Sequence, residues 1–112
     1  VKLLKVIVLT LIMLVVLPNQ KTIERTTLLT TKRCNNCLLS WQEFKHVDLS
    51  GAHLTNTNFN ESTFIDVDFS GADLRGAEFE GAYFEAVSMK GTNLCGAMMM
   101  DGQKSTIGCW NR

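Results

Sequence analysis

From Cys37 to Asp101 large apolar residues return every fifth position: Leu39, Phe44, Leu49, Leu54, Phe59, Phe64, Phe69, Leu74, Phe79, Phe84, Met89, Leu94 and Met99 form an unbroken series of thirteen. Two residues before each lies a smaller side chain, running from Cys37, Gln42 and Val47 through Ala52, Thr57 and Ser62 to Ala97, and only Gln42 is bulky. A period of five fits neither the helical nor the strand period, so it marks a repeat architecture. Two inward positions per five residues suit a short extended face followed by a turn, and four such faces close a square. Similar residues should then also recur every twenty. They do, in the columns Val47, Val67 and Val87, Leu54, Leu74 and Leu94, and Phe44, Phe64 and Phe84, and in the glycines Gly51, Gly71 and Gly91. The glycine column suits corners at which the backbone turns sharply or takes a positive φ.

Within this beat, Ala72-Asp73-Leu74-Arg75-Gly76 and Ala77-Glu78-Phe79-Glu80-Gly81 follow the order Ala, then an acidic or amide residue, then Leu or Phe, then two looser positions. The chain thereby resembles the pentapeptide-repeat proteins, over about 65 of its 112 residues, and looks like a small exported bacterial member. The resemblance implies an all-β fold, a right-handed quadrilateral β-helix. Thirteen faces predict three coils and one further face, stacked about 4.8 Å apart in a tower roughly 15 Å tall. The family shares a coil and not an activity, so the resemblance implies a scaffold without naming a role.

The flanks divide the rest. Residues 1–20 read as a signal peptide or uncleaved anchor: Lys2 and Lys5 precede an apolar run from Val6 to Leu17 broken only by Thr10. Its twelve residues span about 18 Å as a helix, short of the roughly 30 Å hydrocarbon core, which favours a secretory signal over a spanning helix. No Ala, Gly or Ser precedes Ser40 to form a small-x-small cleavage site, so an anchor extended through Leu3 and Leu4 stays open. The expected location is exported, periplasmic or extracellular, with membrane contact only through this segment. Residues 21–36 form an N-terminal cap segment, with a short helix expected over Thr22–Lys32 that turns Ile23, Leu28 and Leu29 toward Leu39 and Phe44. Residues 37–101 are the β-helix and 102–112 a capping tail. There Met98 to Met100 run into the turn signal Asp101-Gly102, and Ile107 and Trp110 are expected to fold over the last coil. The alternative is an apolar end face that pairs two copies of the chain.

Charge narrows the function classes. The formal net charge is zero, but Cys37 to Asp101 holds ten acids against three bases, a net of minus seven. Such a body disfavours direct nucleic-acid binding, because phosphates need Lys and Arg to displace their counterions. The four cysteines divide into Cys34 and Cys37 at the base and Cys95 and Cys109 near the top. That separation along the coil excludes one tetrahedral four-cysteine zinc site. Export predicts oxidation, as Cys34 with Cys37 and Cys95 with Cys109. His46 sits at a corner and His53 two faces further round, so they do not share a substrate. Asp48 and Asp68 stack on one face with Asp66 at the preceding corner, where the repeat itself expects solvent-facing carboxylates turned into turn hydrogen bonds. No catalytic, cofactor-binding or metal residue is assigned, and no cofactor is expected. The expected function is a non-enzymatic exported scaffold for an unknown protein partner. Two alternatives stand beside it: a DNA mimic acting on type II topoisomerases, implied by the family resemblance, and a thiol redox protein using Cys34 and Cys37.

Overall fold

The structure, a computed structural model, describes residues 19–109. The apolar run Val6–Leu17 and Trp110 lie outside the described residues. Among those described, no helix is long and apolar enough to cross a membrane.

One helix, α1 (Gln20–Thr31), precedes three short strands, β1 (Glu43–Asp48), β2 (Thr63–Asp68) and β3 (Tyr83–Glu85). The strands form a parallel sheet in the order β1-β2-β3, in a register of twenty: Phe44 pairs with Phe64 and Phe64 with Phe84. The other faces are linked by single parallel bridges at the same interval, His53 to Asp73 to Asn93 and Leu38 to Asn58 to Glu78 to Met98. A centre amide donates upward, as Leu54 N–H does to the Asp73 carbonyl (2.8 Å), and the amide before a centre donates downward, as Asp73 N–H does to Ala52 (2.8 Å). Every face is thus tied to the one twenty residues on, which makes the chain a β-helix solenoid.

The corners explain why the period is five. Thirteen residues, each two after an inward apolar centre from Cys34 to Leu94, have φ between 52° and 73°. Glycine fills six of these corners and Asn36, Trp41, His46, Asn56, Glu61, Asp66 and Ala86 the rest. Left-handed backbone is nearly free for Gly and tolerated by Asn and Asp, but costs other L-residues about 1–2 kcal/mol. The hydrogen-bonded faces on either side hold the costlier corners in place.

The shaft is filled by the beat. Leu39, Phe44, Leu49, Leu54, Phe59, Phe64, Phe69, Leu74, Phe79 and Leu94 are buried, while Phe84, Met89 and Met99 are half-buried toward the upper end. The phenylalanines stack along columns and meet edge-on between faces: Phe44 and Phe64 lie parallel at 5.2 Å, and Phe59 and Phe64 edge-on at 5.3 Å. Each such side chain contributes about 1.5–3 kcal/mol by burial. Three inward positions are polar and buried, and each hydroxyl donates to a carbonyl one coil below: Thr57 to Cys34 (2.6 Å), Ser62 to Leu39 (2.8 Å) and Thr92 to Phe69 (2.7 Å).

The two ends are closed differently. Helix α1 starts at N-cap Asn19, whose Oδ1 accepts from Thr22 N–H at 2.8 Å. It ends at left-handed Lys32, whose N–H donates to the Leu28 carbonyl. Five of its twelve residues are threonine, a weak helix former, so docking rather than propensity holds it. Its inward face corrects the expectation. Leu28 is buried, but Ile23 and Leu29 are 52% and 44% exposed and do not pack toward Leu39 and Phe44. The contacts come instead from charged residues on the spacing that faces the coil. Lys21 Nζ donates to the Ser40 carbonyl (2.9 Å), Lys32 Nζ to Ser50 (3.1 Å), and Glu24 Oε2 accepts from Leu38 N–H (2.6 Å). The Arg25 guanidinium lies 4.4 Å from the centre of the Phe44 ring. A first coil has no coil beneath it to satisfy its main chain, and these side chains supply that lower layer.

At the upper end the chain turns at Asp101-Gly102 and runs back antiparallel. Leu94 N–H donates to Ile107, Gly96 N–H to Ser105 and Met99 N–H to Gln103, with Met98 bridging Lys104. The tail therefore caps by main-chain pairing. The Ile107 side chain is 62% exposed and does not fold over the last coil, a second correction. Strand β3 remains the edge of its sheet.

Candidate functional site

Cys34 and Cys37 are joined in one disulfide and Cys95 and Cys109 in another, which leaves no free cysteine among the described residues. The first pair lies under the helix: Cys34 is 4% exposed and its Sγ sits 3.4 Å from the Glu24 carbonyl oxygen. A thiol-exchange centre needs an accessible sulfur for attack. The helix and the coil cover Cys34 from both sides. The second pair ties the returning tail to the coil beside Gly96.

The two histidines fall on separate columns. His46 Nδ1 is 2.8 Å from Asp66 Oδ2, its counterpart one coil above at the same corner, and both are exposed. His53 lies in the column of Arg33 and Asp73. A shallow groove runs along the first corner, past His46, Asp66, Asp48 and Asp68 to Ser88. Asp48 and Asp68 are direct register partners across β1 and β2, yet each is engaged by its own turn. Ser50 donates to Asp48 Oδ1 from its hydroxyl (2.5 Å) and amide (2.9 Å), and Lys32 Nζ is 3.4 Å away. Ser70 holds Asp68 in the same way through its amide, at 2.8 Å. These serines, more than Lys32, hold both carboxyls below the ordinary value of 3.8. An acidic residue hydrogen-bonded two residues on is the usual turn device. Among the described residues no group of three or more His, Cys, Asp or Glu side chains is arranged to hold a metal.

On the next columns, Arg75 grips Asp73 through two bonds, Nε to Oδ1 (2.8 Å) and Nη2 to Oδ2 (2.6 Å). This pairing lowers the Asp73 carboxyl and raises the guanidinium. Glu85 accepts from the Tyr83 hydroxyl at 3.1 Å and pushes its ionisation up. Each contact links residues two apart on its own face, and neither joins a nucleophile to a base.

The feature that sequence reasoning counted but did not place is a carboxylate face. Glu61, Glu78 and Glu80 are all exposed on the face centred on Phe59 and Phe79 and its corner. Asn60 organises it: its Oδ1 accepts from Glu80 N–H (2.8 Å) and its Nδ2 donates to Glu78 Oε2 (3.1 Å). Among the described residues none of the three carboxylates joins an ion pair. The signal was already present in the interval of twenty, which puts Glu61 above Trp41 and sets Glu78 and Glu80 either side of Phe79. A large aromatic, Trp41, stands 72% exposed at a left-handed corner, and nothing in the apolar beat marks it.

Comparison with known proteins agrees with this geometry. Residues 33–71 and 43–81 match the family described as pentapeptide repeats, in eight copies. Among solved structures, the chain is similar to a pentapeptide repeat protein from the thylakoid lumen of Arabidopsis thaliana, at 21% identity and a TM-score of 0.41 over 71% of this chain and 70% of that one. It is similar also to HetL, a pentapeptide repeat protein involved in heterocyst differentiation regulation from the cyanobacterium Nostoc sp. strain PCC 7120, at 22% identity and a TM-score of 0.41, covering 65% of this chain and 43% of HetL. A third, Rfr23 from the cyanobacterium Cyanothece 51142, aligns at 17% identity and a TM-score of 0.21, over 63% of this chain and 92% of that one. A search of curated proteins returns no match. Pentapeptide repeat proteins are generally structural or interaction modules. With its beat of five and its register of twenty, the chain carries pentapeptide repeats over residues 33–81 and is similar there to the pentapeptide-repeat family.

Proposed function

We propose that the protein is a non-enzymatic, exported repeat scaffold that binds a protein partner through its outward side chains. The observation that carries this reading is the face of Glu61, Glu78 and Glu80: three exposed carboxylates without an ion-pair partner among the described residues, on a backbone fixed by hydrogen bonds every twenty residues. A rigid frame orders such groups before binding, so less conformational entropy is lost on association. The chemistry fits a partner with a basic surface, whose approach is steered by charge and weakened by salt. Export follows from the character of Val6–Leu17 and agrees with two disulfides, which persist in oxidising compartments.

The test is capture of partners by the full chain from the exported fraction, beside the triple variant Glu61→Gln, Glu78→Gln, Glu80→Gln. The reading expects a partner held by the wild type, lost from the variant and released by raised salt. Equal capture by both proteins would contradict it, as would recovery of the protein in the cytoplasmic fraction alone.

A further inference from the structure

The capping helix has its charges on the wrong side for a helix facing water. All four charged residues of its span and C-cap, Lys21, Glu24, Arg25 and Lys32, turn to the first coil, where they hydrogen-bond its open edge or cover Phe44. The opposite face carries Thr22, Ile23, Thr26, Thr27, Leu29 and Thr30, all exposed and none charged. A solvated surface helix shows the reverse arrangement. Beside it at the same end, Leu38 is 51% and Trp41 72% exposed. They belong to this end because Glu24 binds the Leu38 amide and Lys21 binds Ser40, the residue before Trp41.

We infer that this end of the solenoid rests on an anionic lipid surface, with the outward face of α1, Leu38 and Trp41 at the interface. Charge is one argument for this occupant. Residues 19–46 carry the bases Lys21, Arg25, Lys32, Arg33 and Lys45 against the acids Glu24 and Glu43, whereas residues 47–109 carry nine acids against three bases. The molecule is therefore polar along its axis, and its basic end carries four exposed large apolar side chains, Ile23, Leu29, Leu38 and Trp41. Tryptophan is enriched at membrane interfaces, and an anionic leaflet attracts this end through its net positive charge, although Lys21, Arg25 and Lys32 themselves turn to the coil, while repelling the acidic remainder. Chain order is the second argument. The apolar run Val6–Leu17 ends two residues before N-cap Asn19, so whatever membrane that run meets lies next to α1. In this orientation the carboxylate face rises from the lipid edge, with Glu61 one coil above Trp41 and Glu78 two coils above Leu38.

The test uses the full chain with Trp110→Phe, so that Trp41 is the sole tryptophan. It is mixed with phosphatidylglycerol-containing vesicles whose acyl chains are brominated near the headgroup. Trp41 emission should fall at least twofold, and acrylamide should quench it less. Adding Ile23→Asp and Leu29→Asp should remove most of that loss while leaving the melting curve unchanged, because both side chains are exposed. Trp41→Asn, which suits the left-handed corner, should melt no lower than the parent. It should also shift vesicle partitioning at least fivefold toward the free form when Val6–Leu17 is replaced by a polar sequence in both proteins. Trp41 emission unaffected by the brominated vesicles, or quenched equally by zwitterionic ones, would overturn the inference. Partner capture is read without lipid and vesicle quenching without partner, so the two ideas fail separately.

Discussion

Phe64→Asp is expected to leave no cooperative melting transition. Phe64 is the hub of the shaft: its ring lies 5.2 Å from those of Phe44 and Phe84, 5.3 Å from Phe59, 5.5 Å from Phe69 and 5.8 Å from Phe79. Removing a buried Phe side chain costs about 3–5 kcal/mol through lost transfer and the cavity left behind. A carboxylate in its place adds several kcal/mol, because no base or donor waits at the centre of the shaft to compensate its lost hydration. Domains of this size have about 5–15 kcal/mol in all, so the sum reaches the whole stability. Circular dichroism should show the β signal lost at all temperatures, while Phe64→Leu still melts cooperatively at a lower temperature. An aspartate variant that melts cooperatively within a few degrees of wild type would mean that Phe64 is not in the core.

The second large effect is expected at the upper end. Cys95 and Cys109 close a loop with a sequence separation of 14, and a cross-link of that size stabilises by about 3 kcal/mol through the entropy it removes from the unfolded chain. Replacing both by serine should lower stability by roughly that amount in denaturant titration. It should also free the segment that pairs with Leu94, Gly96 and Met99, so the amides of these three residues should exchange hydrogen much faster while those of Leu54 and Phe59 keep their protection. An exposed parallel edge is prone to pair with another chain, and the variant should accordingly self-associate at concentrations where the wild type does not. Unchanged stability together with unchanged protection at Leu94, Gly96 and Met99 would show that the tail holds its place without the cross-link.

Much of the solenoid was legible because its core obeys one rule. Every centre is large and apolar, since it faces the shaft, and every position two before it except Gln42 is small, since it packs beside a neighbouring centre. The ends obey a different rule, which the apolar beat does not express. Apolar pattern alone assigns Ile23 and Leu29 of α1 to the coil with Leu28, but both are exposed. What a first coil lacks is hydrogen-bond partners as well as apolar cover, and Lys21, Glu24 and Lys32 meet that need. Ile107 was misplaced for a related reason: main-chain pairing anchors the tail, and a ladder does not depend on where one side chain points. The corners lay between these extremes. Gly51, Gly71 and Gly91 announced positive φ, but His46, Glu61, Ala86 and Trp41 adopt it under the constraint of the faces around them, which local propensity does not reveal. The carboxylate face was present in the composition, yet it becomes a face only once the interval of twenty places Glu61, Glu78 and Glu80 on adjoining columns.

The central claim is that residues twenty apart stack in parallel, and nuclear magnetic resonance of the isotope-labelled full chain tests it most directly. The account predicts nuclear Overhauser contacts from Phe44 to Phe64 and from Phe64 to Phe84, and from Val47 to Val67. It also predicts a coupling across the hydrogen bond from Leu54 N–H to the Asp73 carbonyl. Contacts at intervals of three and four residues through the repeat, or between neighbouring antiparallel segments, would contradict it.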